Sequence, residues 1–318
     1  MLVSILIPCY NAEAWIQKSI LSALQQTYQE KEVVVVDDGS TDNSWEIIQG
    51  FGKSIVSKRT SNRGAGATRN YLLQLSKGDW LQYLDADDFL LPGKINNQIA
   101  KVESNQVVDI IYSPSIIEER WSGEIKSYTL PIPEPHDPWI LLTRWYLPQT
   151  GSVLWKKQAI GEVGGWKEDQ PCCQEHELYL RLLKAGKVFK YSQEPGAIYR
   201  KWSDDTVCER DKSESYKQRL KIILDVENYL DKTGKLTSDR QNEINQARFE
   251  CARIIWNMDK KWAKSLIREV NISKIPFTPS GKGVPYIYRI LYSSLGFSAA
   301  EYAAYCKRIC TSFIKNSI

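Results

Sequence analysis

Three carboxylates stand close together after a short, mostly apolar run. Asp85, Asp87 and Asp88 directly follow residues 80–84. Carboxylates this close repel one another unless a cation or hydrogen-bond donors neutralise them. Oxygen ligands of this kind suit Mg²⁺ or Mn²⁺, and Mg²⁺ is usually held by one or two carboxylates together with substrate phosphates. The cluster predicts a divalent-metal site that also receives a diphosphate; a solvated acidic turn is the alternative interpretation.

A second acidic pair, Asp37 and Asp38, follows the four valines at residues 33–36. A carboxylate at the end of a strand can accept hydrogen bonds from the imide N–H of uracil or thymine, or from N1–H and the amino group of guanine. At the corresponding edges of adenine or cytosine, the carboxylate would face hydrogen-bond acceptors and could not form these bonds. The pair therefore favours a uracil, thymine or guanine base, whereas Asp-Gly-Ser as an ordinary turn before a helix is the alternative.

A glycine-containing segment, residues 62–70, carries two arginines. Arg63 and Arg69 lie near the start of a predicted helix. The glycines permit close approach of the backbone, and an arginine near a helix start can pair with phosphate. The alternative interpretation is that these residues only cap a solvated helix and bind no ligand.

A carboxylate that could act as a general base lies in the helix predicted from Gln174 to Arg181. Such a group would remove the proton of an acceptor hydroxyl. Acidic residues at a helix start also stabilise the helix dipole, which is the alternative. The nearby Cys172, Cys173 and His176 do not predict a metal site, because a fourth ligand and a recognised spacing are both missing.

The elements that must position these groups alternate between strand and helix. Strands are predicted at residues 4–7, 33–36, 55–56 and 80–84, and Asn11 is predicted to cap the first helix. Alternation of this kind predicts an α/β fold with a mostly parallel sheet flanked by helices. Ligands bind beyond the carboxyl ends of such strands, where the acidic clusters fall.

Bulk composition excludes several classes of protein. The formal net charge of +4 over 318 residues is small, so we predict no nucleic-acid partner. The seven cysteines show no zinc spacing, which favours reduced thiols and a cytoplasmic protein. We expect neither a signal peptide nor a membrane-spanning helix. Any membrane contact would be peripheral, at the inner face.

The chain changes character from about Ser213, where strand signals give way to charged helical stretches. We predict a first domain at residues 1–210 and a helical C-terminal region at residues 211–318. Stretches rich in aromatic and basic residues, near Trp256 and near Tyr286, have two interpretations. They either pack as a cap on the first domain or rest on an anionic membrane surface.

Taken together, the motifs resemble the family-two glycosyltransferases, which have the Rossmann-like GT-A fold. The resemblance covers roughly residues 2–203 and makes residues 1–210 a nucleotide-sugar-binding catalytic domain. The matching segments, in chain order, are residues 4–11, 33–42, 62–70, 78–88, 164–166 and 174–181.

The resemblance implies roles for the residues that match the family's motifs. Asp85 and Asp87 look like its DxD pair, with Asp85 towards the ribose and Asp87 on the metal. The nucleotide-binding residues that it implies are Pro8, Tyr10, Asp38, Arg69 and Asp85.

The catalytic base implied by the resemblance is Glu175. The family's base is usually an aspartate, so this sequence departs by one methylene, although the two carboxyl groups have similar pKa values. Many members also carry a histidine after a Tyr-Arg pair near the end of the domain. Residues 199–202 contain no histidine, which puts a histidine metal ligand there in doubt.

The function implied is metal-assisted transfer of a sugar from a nucleotide-sugar to a hydroxyl of a glycan or glycolipid, with inversion, in polysaccharide or glycoconjugate synthesis. A non-catalytic nucleotide-sugar-binding protein of the same fold is the main alternative. A sugar-1-phosphate nucleotidyltransferase is disfavoured, because residues 8–11 lack a glycine-rich loop with a basic residue.

Overall fold

The computed structural model describes residues 1–102, 107–121, 124–202, 211–273, 275–281 and 283–315, with the backbone alone at residues 121 and 309–315. It divides into two compact units, Met1–Ser215 and Tyr216–Ile318. The predicted domain boundary, after residue 210, falls at the end of a segment outside the described residues. The division into a catalytic domain and a helical region therefore stays a proposal.

A seven-stranded sheet forms the centre of the first unit. In spatial order its strands are β10 (Phe189–Tyr191), β6 (Ile110–Tyr112), β9 (Val153–Lys156), β4 (Trp80–Tyr83), β1 (Val3–Cys9), β2 (Lys31–Asp37) and β3 (Val56–Arg59). Neighbouring strands are parallel except where β9 pairs antiparallel with β4 and β6. The prediction of a mostly parallel mixed sheet is confirmed.

Helices flank this sheet, as the continuous apolar strands require. Six of the seven residues of β1 are buried, and so are the four valines of β2, because both faces of these strands are covered. The helices of this unit before residue 185 are α1 (Ile16–Leu24), α2 (Ser44–Gln49), α3 (Ala65–Leu75), α4 (Lys94–Ile99), α5 (Pro138–Thr143), α6 (Lys157–Glu162) and α7 (Gln174–Lys184).

A second sheet of four strands was not predicted. Its order is β5 (Phe89–Leu90), β11 (Ala197–Lys201), β7 (Ser115–Trp121) and β8 (Glu124–Leu130). All seven residues of β8 are exposed, so this strand lacks the buried apolar alternation by which strands are recognised. β11 pairs with β7 in parallel and with β5 antiparallel, and pairing between strands so distant in sequence leaves no local signal.

The prediction that Asn11 caps the first helix is wrong. Helix α1 begins at Ile16, and Asn11 has φ 48°. Its side-chain oxygen instead accepts a hydrogen bond from the Thr41 backbone N–H at 2.8 Å, and its own N–H donates to Ser40 Oγ at 2.9 Å. The Asn11 side chain, predicted to cap a helix, is thus hydrogen-bonded to a residue 30 positions away. These hydrogen bonds join the loop after β1 to the loop after β2.

The second unit is helical, as predicted. Its helices are α8 (Lys212–Lys232), α9 (Ser238–Ile255), α10 (Lys260–Ile272) and α11 (Tyr286–Lys315). Gly296, at φ 81°, breaks α11 into two segments. The ring of Phe249 is buried against aromatic rings of both segments, those of Tyr288 and Phe297. Within the described ranges, no helix combines the length and apolar character needed to cross a bilayer.

Candidate functional site

Three neighbouring strands deliver the predicted polar groups to one edge of the large sheet. β1 lies between β2 and β4, and its register pairs Cys9 with Asp37 and Leu6 with Tyr83. Strands in a sheet lie about 4.8 Å apart, so the chain that follows these three strands spans only about 10 Å. The residues concerned are Tyr10, Asp38, Asp85 and Asp87, and Pro8 lies beside them near the end of β1.

Asp38 is engaged with the backbone of a neighbouring loop. Its carboxylate oxygens accept hydrogen bonds from the backbone N–H groups of Arg63 at 2.9 Å and Gly64 at 2.8 Å, and the residue is 3% exposed. Gly64 precedes α3 with φ 90°, a conformation that favours glycine. Asp38 thus holds the start of α3 in place, and its contact with a nucleotide base stays a prediction.

Replacing Asp38 with alanine would remove the acceptor for two partly buried backbone N–H groups. We expect the free energy of unfolding to fall by about 1 to 3 kcal/mol, measured by chemical denaturation. Asp79, which is exposed, supplies the matched control, because Asp79→Ala should change stability by less than about 0.5 kcal/mol. Equal losses in the two variants would contradict this role of Asp38.

The two residues predicted to frame the base from β1 differ in exposure. Pro8 is half-buried within the strand, whereas Tyr10 is 50% exposed just beyond it. An exposed aromatic ring at the ligand edge can stack on a nucleotide base. Their binding roles stay predictions.

Arg69 connects three parts of the site. Its guanidinium donates to Asp85 Oδ1 and to Gln174 Oε1, both at 2.6 Å, and lies 4.9 Å from the ring centroid of Trp166. Only 10% of the side chain is exposed. Burial opposes the charge on this group, but Asp85 raises the pKa of Arg69 overall. The arginine therefore ties α3 to the acidic turn after β4 and to the start of α7.

The acidic turn places three carboxyl groups close to one another, and only Asp85 among them pairs with Arg69. Asp87 is an exposed residue, but partial desolvation of its carboxyl group and then the charge of Asp85 raise its pKa. Burial raises the pKa of Asp88, and the charges of Asp87 and Asp85 raise it further. The hydrogen bond that Asp88 accepts from the Arg200 backbone N–H, at 2.9 Å, opposes this rise. A divalent cation would relieve this repulsion.

The residues present fit a metal site completed by substrate. Among the described residues, no group of three or more His, Cys, Asp or Glu side chains is arranged to hold a metal ion. Proteins often hold Mg²⁺ with only one or two carboxylates beside substrate phosphates, and Asp87 is the carboxylate that the sequence predicts for this role.

Glu175 lies in the first turn of α7, with 23% of its side chain exposed. Burial raises its pKa, but the contact with His176, whose Nδ1 is 3.4 Å from Oε1, and the charge of Arg69 outweigh burial and lower the pKa of Glu175 to about 2. The His176 ring stacks on Trp145 with centroids 3.8 Å apart. Glu175 is thus an ionised carboxylate at neutral pH.

Several residues that shape the site carry no clear signal in the sequence. Asn70 accepts from the Trp166 backbone N–H at 2.8 Å and donates to its carbonyl at 2.9 Å, which fixes the turn before α7. Arg200 is 5% exposed, and its Nε and Nη2 make no hydrogen bond to any residue that the structure describes. Its guanidinium lies 4.9 to 5.3 Å from three ring centroids, those of Trp15, Phe89 and Trp202.

The fold of the chain is shared with solved glycosyltransferases. Staphylococcus aureus TarS 1–349, in complex with UDP-GlcNAc, aligns with 85% of this chain and 89% of its own, with TM-score 0.58 and 14% identity. The mannosyltransferase PcManGT of Pyrobaculum calidifontis, in complex with GDP-Man and Mn²⁺, aligns with 97% of this chain and 80% of its own, with TM-score 0.53 and 14% identity. The chain has the GT-A fold.

Sequence comparison gives the matching family. Residues 4–158, just under half of the chain, match the model of glycosyl transferase family 2. The Escherichia coli glucosyltransferase WfaP, named as acting on α-D-GlcNAc-diphosphoundecaprenol, is 40% identical over 120 residues, which are 37% of this chain. The chain spans 47% of WfaP, and 44% and 32% of glycosyltransferases from Haemophilus influenzae and Rickettsia felis. Glu175 lies beyond the matched region.

Proposed function

We propose that the chain transfers a sugar from a nucleoside-diphosphate sugar to an acceptor hydroxyl, with inversion at the anomeric carbon. The observation that carries this proposal is the position of Arg69. It joins Asp85, on the side of the donor, to Gln174, which precedes the proposed base Glu175. A donor held at the acidic turn would therefore lie beside a carboxylate that can accept a proton.

In the proposed reaction, Glu175 accepts the proton of the acceptor hydroxyl as its oxygen attacks the anomeric carbon. The bond from that carbon to the donor phosphate breaks on the opposite face, and the nucleoside diphosphate leaves with the bonding electrons. Positioning of the two reactants lowers the barrier further. Arg69 holds the donor-side turn and the base in one arrangement.

Asp87 would hold the Mg²⁺ or Mn²⁺ that we propose as cofactor, and Asp85 would lie towards the ribose of the donor. The ion would stabilise the negative charge of the departing diphosphate. The raised pKa of Asp87 and the Mn²⁺ in the PcManGT structure support this assignment.

The proposed substrates rest on the chemistry of the site residues and on the ligands of similar proteins. UDP-GlcNAc is bound in TarS and GDP-Man in PcManGT, so the shared fold serves either base. We infer a UDP, dTDP or GDP donor and a glycan or glycolipid acceptor used in polysaccharide or glycoconjugate synthesis, the last supported by the lipid-linked substrate in the name of WfaP.

A panel of nucleotide-sugars, incubated with Mn²⁺ and candidate acceptors, tests the proposal. We expect release of nucleoside diphosphate coupled to a product whose anomeric configuration, read by NMR, is opposite to that of the donor. Retained configuration would contradict the single displacement. Tight binding of nucleotide-sugar without turnover on any acceptor would instead favour the non-catalytic protein.

The lowered pKa of Glu175 predicts how the transfer step depends on pH. Because the pKa of Glu175 is lowered below its ordinary value, the carboxylate stays ionised at neutral pH, and transfer should be lost only under acidic conditions. With donor, acceptor and Mn²⁺ saturating, we expect a level rate from about pH 8 to about pH 5. A fall in rate with a midpoint near about pH 6 would contradict an ionised base.

A further inference from the structure

The two units of the chain carry opposite net charge. Residues 216–318 contain 18 Lys and Arg against 9 Asp and Glu, a formal charge of +9. Residues 1–215 contain 24 against 29, a formal charge of −5. The small charge of the whole chain therefore conceals a strongly basic helical unit, whose charge is complementary to an anionic surface.

Helix α11 presents apolar side chains to solvent before its break at Gly296. Tyr286 and Ile287 are each 71% exposed, and Ile290 is 49% exposed. These three positions lie within about 100° of one another around the helix. The opposite side of the helix is used for packing, because Tyr288 is 4% exposed and lies against Phe249. This exposed apolar face is defined here as Tyr286, Ile287 and Ile290.

Cations and aromatic rings lie near the end of this segment. Trp256 packs on Phe297, just after the break, with centroids 5.4 Å apart. Lys260 and Lys264, both exposed, lie 5.5 and 6.0 Å from the Trp256 ring centroid. Lys260 also donates to the hydroxyl of Tyr302 at 3.2 Å. Lysine and tyrosine suit a membrane interface, because each has an apolar body and a polar end.

We propose that the second unit binds an anionic lipid surface. The apolar face of α11 enters the boundary between headgroups and acyl chains, and Lys260 and Lys264 contact the lipid phosphates. Exposed aliphatic side chains favour lipid over nucleic acid, whose recognition would use the cations without needing Ile287 or Ile290. Binding of this kind does not require sugar transfer, so it can fail while the proposed function holds, and the reverse.

Flotation of the full chain with vesicles tests this proposal. We expect binding to vesicles of phosphatidylcholine mixed with phosphatidylglycerol, weaker binding to phosphatidylcholine alone, and loss of binding at high salt. Lys260→Glu combined with Lys264→Glu should weaken binding to the mixed vesicles about twentyfold. Ile287→Ser combined with Ile290→Ser should weaken it about tenfold.

Ile125→Ser is the matched control, because Ile125 is 52% exposed in the first unit and should not affect vesicle binding. Circular dichroism establishes that each variant keeps its helices. Failure of the unmodified chain to float with mixed vesicles would overturn the proposal. So would variants that bind as well as the control, or a chain that binds duplex RNA through the same lysines while ignoring lipid.

Discussion

Glu175→Gln is expected to lower the rate of sugar transfer by about 10²- to 10⁴-fold and to leave nucleoside-diphosphate affinity almost unchanged. Glutamine keeps the size of the side chain but cannot take the proton of the acceptor hydroxyl. Glu175 lies in the first turn of α7 and is not among the residues that we propose to contact the nucleotide. Transfer is measured in a single turnover with donor and acceptor saturating, and affinity by calorimetry.

The matched control for this variant is Glu162→Gln. Glu162 is an exposed residue at the end of α6 that pairs with Lys187, and its replacement should leave transfer at the normal rate. Full activity of Glu175→Gln would show that another group accepts the proton. Loss of nucleotide binding together with transfer would show that Glu175 supports the donor site rather than the chemistry.

Arg69→Met is expected to impair donor binding and transfer together. The substitution removes the hydrogen bonds to Asp85 and Gln174. Asp85 then lacks its positively charged partner, and its carboxylate lies close to the carboxylate of Asp87, which repels it. A displacement of about 1 Å between donor and base can cost about 100-fold in rate, so we expect a loss of this size. The free energy of unfolding should fall by about 2 kcal/mol.

Two further variants separate charge from geometry at this position. Arg69→Lys keeps the positive charge but not the planar fork that reaches both partners, so it should recover stability more than activity. Arg268→Met removes an exposed arginine from α10 and should affect neither quantity. Normal transfer by Arg69→Met would contradict the proposal that this arginine links the donor side to the base.

The sequence was sufficient to predict the part of the fold that is continuous and buried. The four valines of β2 and the apolar run of β1 predict central strands because only a sheet covered on both faces uses such runs. Alternation with helices then predicts which edge bears ligands, and Asp38, Asp85 and Asp87 lie at that edge.

Contacts between distant residues could not be predicted in this way. The bond between Arg69 and Gln174 joins residues 105 positions apart, and neither residue type indicates the other. Asn11 is of a residue type that often caps helices, yet its side chain accepts a hydrogen bond from the backbone N–H of Thr41. The exposed strand β8 and the short β5 give no periodic signal, so the second sheet emerges only from its pairing.

For two of the predicted site residues, the structure shows hydrogen-bond partners and charges that the sequence does not reveal. Asp38 was predicted to meet a nucleotide base, and the structure shows its carboxylate already holding two backbone N–H groups of the next loop. The sequence identifies a carboxylate at the ligand edge but not its partners. For Glu175, the family resemblance supplies the position, whereas the lowered pKa depends on the adjacent His176 and on Arg69, which only the fold brings near.

Titration of UDP, dTDP and GDP into the protein, with Mn²⁺ and with a chelator, tests most directly whether the acidic edge is a metal-dependent nucleotide site. We predict that at least one of these nucleotides binds in the presence of Mn²⁺ and that chelation or Asp87→Asn weakens this binding markedly. Binding that is identical with Mn²⁺ and with the chelator would contradict the account, as would the absence of binding by all three nucleotides.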